Sequence, residues 1–128
     1  MKRALFLLCG VLSAGRCTAA DAAPETARET RVIAGWTVRL HSACLATNAT
    51  ATARALELLK RQLEEIVSNV PPHAVAELQK AQLWVSPEYP GTTPKAEYHP
   101  NANWLREHGR DPAMAKGIEF TNVRIFEA

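Results

Sequence analysis

Four histidines, at positions 41, 73, 99 and 108, and Cys44 are the side chains from which this sequence could assemble a metal site or a nucleophile. A zinc peptidase needs two histidines one helical turn apart with a glutamate beside the first, so that both imidazoles reach the metal and the carboxylate activates water. No pair here has that spacing. His99 and His108 come nearest, and the stretch between them carries its own helix cap. The residues alone therefore nominate no metal ligand and no catalytic group. Cys44 follows His41 by three positions, but a buried thiol behaves as a small hydrophobe unless its setting is electropositive. Glu64 and Glu65 are adjacent and diverge by about 100° around a helix, which rules out a paired-carboxylate site. The serines stand in no elbow motif, and there is no glycine-rich phosphate loop.

The densest polar and aromatic cluster is "EYHPNANWLREHG", residues 97–109. Tyr98, His99 and Trp104 could line a cleft at a loop-to-helix junction. A structural reading accounts for the same positions one by one: Asn101 caps a helix, Trp104 and Leu105 anchor it, and His108 sits at its C-terminal end, where a cation is favoured.

The elements that must position these groups follow from periodicity. "VIAGWTVRL", residues 32–40, alternates as one half-buried strand with Val32, Ala34, Trp36, Val38 and Leu40 on the inner side. From Thr50 to Val70 the period is helical, with Leu56, Leu59, Leu63, Ile66 and Val70 on one stripe, and Asn48 or Thr50 is placed to cap it. Pro71 and Pro72 end that helix. A short helix over 73–80 and a buried strand at "QLWV", 82–85, come next. "SPEYPGTTPKAEYHP", with four prolines in fifteen residues, reads as a loop. Asn101 and Gly109 bracket one small helix, and Asp111 with Pro112 starts another. "GIEFTNVRIF" is strand-like, with a change of parity near Asn122 that predicts a bulge or bend. The predicted fold is α+β: a small sheet of about three strands packed on one long amphipathic helix, with several short helices.

The opening segment has a charged start at Lys2 and Arg3, a short apolar run and Ala20-Asp21-Ala22 as a small-x-small cleavage site, the pattern of a signal peptide over 1–22. The run is shorter than the roughly 20 apolar residues a bilayer span requires. Residues 23–31 read as a flexible tail and 32–128 as the folded subdomain. Cleavage takes three basic side chains and one acidic, and leaves twelve of each from the fifteen and thirteen of the full chain. A neutral mature chain lacks the electrostatic footprint of a nucleic-acid binder or of a polybasic membrane surface. Cys44 alone then remains, so no internal disulfide can form and a hydrophobic core must hold the fold. Secretion or a periplasmic location is the expected destination.

"GWTVRL" (35–40), "RALELLKRQLEEIVSNVP" (54–71), "LWVSPEYPG" (83–91) and "AEYHPNANWLREHGRDPAMAKGIEFTNVRIFEA" (96–128) together resemble the front half of secreted bacterial zinc-metallopeptidase-like, zincin-like proteins. In that family a helix bearing His-Glu-x-x-His follows this region. No such motif occurs within these 128 residues, so the resemblance carries over no zinc ligand, and zinc is expected only in a full-length relative. It implies an extended peptide or protein as partner, held along a sheet edge formed by Glu119, Phe120, Thr121 and Asn122. It also implies that Ile118, Phe120, Val123, Ile125 and Phe126 form an apolar end that the missing helix would cover. The expectation is a truncated, noncatalytic metallopeptidase-like subdomain. The alternative is a self-sufficient secreted module that binds a peptide or protein.

Overall fold

In a computed structural model, residues 27–127 are described. They form an α+β fold built on one five-stranded sheet of order β1-β2-β3-β5-β4. The strands are Arg28–Ile33 (β1), Trp36–His41 (β2), Leu83–Val85 (β3), Ala96–Tyr98 (β4) and Ile118–Phe120 (β5). β2, β3 and β5 run parallel, and β1 and β4 pair antiparallel on the two edges. The helices are Ser42–Thr47 (α1), Ala49–Asn69 (α2), Pro72–Leu78 (α3) and Ala102–Glu107 (α4), with 3-10 turns at Pro112–Met114 and Val123–Glu127. No described helix is long and apolar enough to cross a membrane. The signal-peptide reading of 1–22 lies outside the described residues.

The sheet has five strands where about three were expected, for two local reasons. The run read as one strand over 32–40 is a hairpin. Ala34 and Gly35 both take positive φ, 48° and 89°, as a two-residue turn whose twist matches that of the strands demands. Ile33 therefore faces Trp36 across the ladder, and β1 reaches back to Arg28, into the segment expected to be tail. Val32, expected inside, is 73% exposed. Alternation alone does not mark such a turn: the two-residue reversal shifts parity by one, so Ile33 and not Val32 shares the inner face with Trp36, and the apolar Val32 and Ala34 hide the shift. Gln79 Nε2 steadies it by donating to Ala34 O at 3.0 Å. The second addition is β4, inside the proline-rich stretch expected to be loop, where three residues between Pro94 and Pro100 suffice to pair with β5. α1 was likewise not anticipated.

The sheet separates two layers. On one face Trp36, Val38 and Leu40 of β2 and Leu83 and Val85 of β3 meet Ala55, Leu56, Leu59 and Leu63 of α2. The predicted helical stripe is thus the buried one, with Ile66 and Val70 half-buried toward its end. Asn48 precedes α2 without capping it through its side chain, whereas Thr52 Oγ1 ties α2 to α1 by donating to Cys44 O at 2.9 Å. On the opposite face Trp84, Leu105 and Met114 form a second, smaller core beneath α4. Asn101 Oδ1 caps α4 by accepting from Trp104 N at 3.0 Å, Gly109 (φ 65°) leaves it, and Asp111 Oδ1 accepts from Ala113 N to start the 3-10 turn. These last three roles match the sequence reading.

The parity change near Asn122 marks a bend at Thr121 that ends β5, one of the two forms expected, and not a bulge within a longer strand. Beyond it the chain coils into the 3-10 turn Val123–Glu127, where apolar side chains fall on one side by turning. Val123 is buried in the first core, Phe126 packs against it, and the Phe120 and Phe126 rings meet at 4.9 Å. The apolar end expected to lie bare is therefore folded onto the chain's own α2 layer.

Candidate functional site

β4 and β5 place two glutamates, Glu97 and Glu119, directly opposite each other. Like charges in that register repel, so the pair needs a cation nearby. Arg110, in the loop after α4, supplies it: its guanidinium donates to Glu97 Oε2 at 2.8 Å and to Glu119 Oε2 at 3.1 Å. Glu119 is fully buried, and it also accepts from Tyr89 OH on Oε1 at 2.6 Å and meets His99 Nε2 through Oε2 at 2.8 Å. An ionised carboxylate only accepts, so Nε2 of His99 carries a hydrogen and donates it to Glu119. Lys95 Nζ adds a contact to Glu97 Oε1 at 3.1 Å. One carboxylate thus ties β5 to the proline-rich loop, to the end of β4 and to the loop leaving α4.

Electrostatics follow from these contacts. Burial alone would raise the Glu119 carboxyl. The neighbouring Ser86 hydroxyl, Tyr89 and His99, with the Arg110 charge, outweigh burial and hold it below its ordinary 4.5. Ser86 Oγ is itself buried and meets no partner in full hydrogen-bond geometry. For Glu97, burial is likewise overcome by Arg110 and Lys95, and the carboxyl is lowered. Tyr89 is pushed up to about 12 by burial and by the Glu119 carboxylate beside it.

A depressed carboxyl contributes stability that is fully present above its unfolded value and is lost as pH falls through its folded value. A raised phenol contributes stability present below its unfolded value and lost as pH rises through its folded one. The fold is therefore expected to hold a plateau between pH 5 and 9, to weaken below about 4.5 as Glu119 and Glu97 protonate, and to weaken again from 10 towards 12 as Tyr89 ionises. Denaturant midpoints across pH check this. Replacing Tyr89 with Phe should flatten the alkaline limb and, by removing one of the hydrogen bonds that lower Glu119, also reduce the acid one.

Glu97, His99 and Glu119 bring ligand atoms within 4.8 Å of one another, close enough for a shared cation. The atoms that face one another, Oε2 of both carboxylates and Nε2 of His99, are already engaged. Arg110 stands between the two carboxylates as the positive charge, and the His99 nitrogen facing Glu119 bears a hydrogen. A metal would have to displace a guanidinium from a buried double ion pair, and the set does not fit one in this arrangement.

The sequence-nominated residues do not form one site. Tyr98, His99 and Trp104 do come together, lining a shallow hollow of about 290 Å³ with Glu97, Pro100 and Asn101. Tyr98 is 57% exposed and His99 is 1% exposed. Trp104 is half-buried, with His99 stacked at 5.6 Å and His108 at 4.0 Å. Glu119 lies behind this hollow, in the buried cluster. Phe120 faces the other layer, against Phe126. Thr121 and Asn122 are buried and pin neighbouring loops, Thr121 Oγ1 accepting from Lys95 N and Asn122 Nδ2 donating to Glu88 Oε2. The expectation that Glu119 to Asn122 form the sheet edge is corrected: β5 is interior, flanked by β3 and β4, and the edge is β4. Tyr89, Glu97 and Arg110 are the participants the sequence did not mark, because only the β4–β5 register brings them together.

The edge itself is open. Lys95 O accepts from Thr121 N, and His99 exchanges both its backbone bonds with the segment before β5. With period two, Glu97 also turns its amide and carbonyl inward, and those of Ala96 and Tyr98 point outward. Among the described residues no strand pairs with that side.

His41 and Cys44 are committed to structure. His41 Nδ1 accepts from Ala43 N at 3.1 Å as the cap of α1, and burial pushes the Cys44 thiol up. Compared with protein family models, curated proteins and solved structures, the chain matches none.

Proposed function

We propose that this chain is an exported, metallopeptidase-like subdomain that performs no catalysis by itself and holds an extended peptide along β4. The observation that supports this most is the outward pair of amides and carbonyls at Ala96 and Tyr98, beside a hollow able to receive one side chain. The resemblance in residues 35–128 points to the same use of a sheet edge, and zinc with its activating carboxylate belongs to a helix that these 128 residues do not encode. Pro94 and Pro100 bracket the edge and limit any added strand to a short segment, which suits a peptide better than a second sheet.

The test is a random peptide library panned on the purified protein, followed by amide chemical-shift mapping with an enriched peptide. Shifts should centre on Ala96 and Tyr98. Tyr98→Pro removes one outward donor without touching the β4–β5 ladder, so affinity should fall roughly tenfold or more while the melting temperature stays nearly constant. Tyr98→Ala should keep the backbone contribution. Enriched peptides that shift other amides, or affinity indifferent to the proline, would count against the edge. Peptide hydrolysis on addition of zinc would overturn the noncatalytic part.

A self-sufficient binding module is the second reading, and the packing of Val123 and Phe126 onto the α2 layer favours it. It requires a cooperative melt of the mature chain, whereas a subdomain dependent on a further helix should melt without a sharp transition and bind a hydrophobic dye.

A further inference from the structure

We infer that the hollow beside β4 selects a basic side chain, so that the peptide held there carries lysine or arginine opposite Glu97. This rests on the edge reading above and names the occupant that the edge prefers. Glu97 is the one carboxylate among the six residues lining the hollow. Its side chain remains 24% exposed while its backbone turns inward to β5. A peptide residue facing it across an antiparallel edge would occupy a non-hydrogen-bonded pair, where α-carbons approach to about 4.5 Å and side chains meet most closely.

The other groups at the rim are already engaged or are aromatic surface. His99 is buried, with its Nε2–H engaged by Glu119 and its ring stacked on Trp104. Asn101 Oδ1 already accepts from the α4 backbone, and Trp104 supplies aromatic surface. An acidic side chain would meet Glu97 head on. A basic one could take the place of Lys95 on it.

The chain already supplies a stand-in for such a ligand. Lys95 Nζ sits on Glu97 Oε1 at 3.1 Å from an exposed position, so the outer oxygen of Glu97 is covered by a side chain that can swing away. Arg110 holds the inner oxygen from behind and keeps the carboxylate in place. An incoming arginine or lysine would exchange with Lys95 and leave Arg110 undisturbed.

The experiment uses three peptides identical except for arginine, norleucine or glutamate at the position opposite Glu97, titrated into the purified protein with the Ala96 and Tyr98 amides as the readout. The arginine peptide should bind roughly three to ten times more tightly than the norleucine peptide, the range expected of one partly exposed ion pair, and the glutamate peptide most weakly. Lys95→Met should tighten the arginine peptide several-fold by removing the competitor, and it leaves the Arg110 contacts intact. Glu97→Gln should erase the preference while amide shifts persist. Equal affinities with shifts at Ala96 and Tyr98 would overturn the charge selection and leave the edge reading standing, as would a preference that survives Glu97→Gln or a Lys95→Met variant that binds arginine less well. Absence of shifts at β4 with every peptide would overturn both.

Discussion

Replacing Glu119 with leucine is expected to cost about 3–5 kcal/mol, the range for breaking a buried ion pair by removing one partner. In a domain of about a hundred residues that lowers the melting temperature by at least roughly 12 °C. The reason lies in what is left behind. Arg110, with a side chain only 10% exposed, would keep Glu97 alone, and His99 and Tyr89 would each lose a buried partner. Glu119→Gln should cost less, because the amide oxygen can still accept one bond while its NH₂ confronts donors. The decisive comparison is with a variant that removes Glu119 together with the two groups on its Oε2, Glu119→Leu with His99→Phe and Arg110→Met. Pairs replaced jointly by apolar groups of similar volume are often neutral or better, so this triple variant should recover much of the loss. Chemical denaturation of the three proteins at pH 7 measures it. A Glu119→Leu protein within 1 kcal/mol of the parent would mean that the cluster contributes little to the fold.

How much of this was open to the sequence depends on the range of the signal. The α2 stripe, the Asn101 and Asp111 caps and the "LWV" strand are written in neighbouring residues, where a period or a single capping side chain is enough, and they are where the reading and the structure agree. The hairpin at Ala34-Gly35 escaped because its turn lacks an asparagine or aspartate and because apolar Val32 and Ala34 continue the alternation of β2 past the point where the faces exchange. β4 escaped because three residues between prolines carry too little pattern to be told from loop. The polar cluster was illegible for a different reason. Glu97, Tyr89, Arg110 and Glu119 have no spacing in common, and only the pairing of β4 with β5 sets the two glutamates face to face. Tyr98, His99 and Trp104 were visible as a local cluster and do share a hollow, whereas the edge at 119–122 was implied by the family resemblance alone and by no pattern in these residues. The sheet order places β5 inside and β4 outside.

The hollow depends on the small core beneath it, and Leu105→Ala is the second variant expected to have a large effect. Leu105 is fully buried and shares its core with only Trp84 and Met114 as buried members, with Trp104 and Ala115 packed at its margin. Truncating a buried leucine costs about 2–5 kcal/mol, and the upper half of that range applies where the surroundings cannot close the gap. Here they cannot close it easily. Trp84 is held on its outer side by Arg28 and Arg39, whose guanidinium carbons lie 4.9 and 5.9 Å from its ring, and Gly117 abuts its indole so closely that a β-carbon there would come within 2.7 Å of Nε1. Met114 belongs to a single 3-10 turn, and α4 is only six residues long. A cavity at Leu105 therefore loosens the seating of α4, and α4 carries Trp104 and leads to Arg110. Leu105→Ala should lower both stability and peptide affinity. Tyr98→Pro, by contrast, should lower affinity alone, and measuring both quantities for both variants separates a site that is supported by its core from one that merely lies beside it. A Leu105→Ala protein that melts well below the parent yet binds the arginine peptide with parental affinity at a temperature where it is folded would show that the hollow takes its shape from β4 and not from α4.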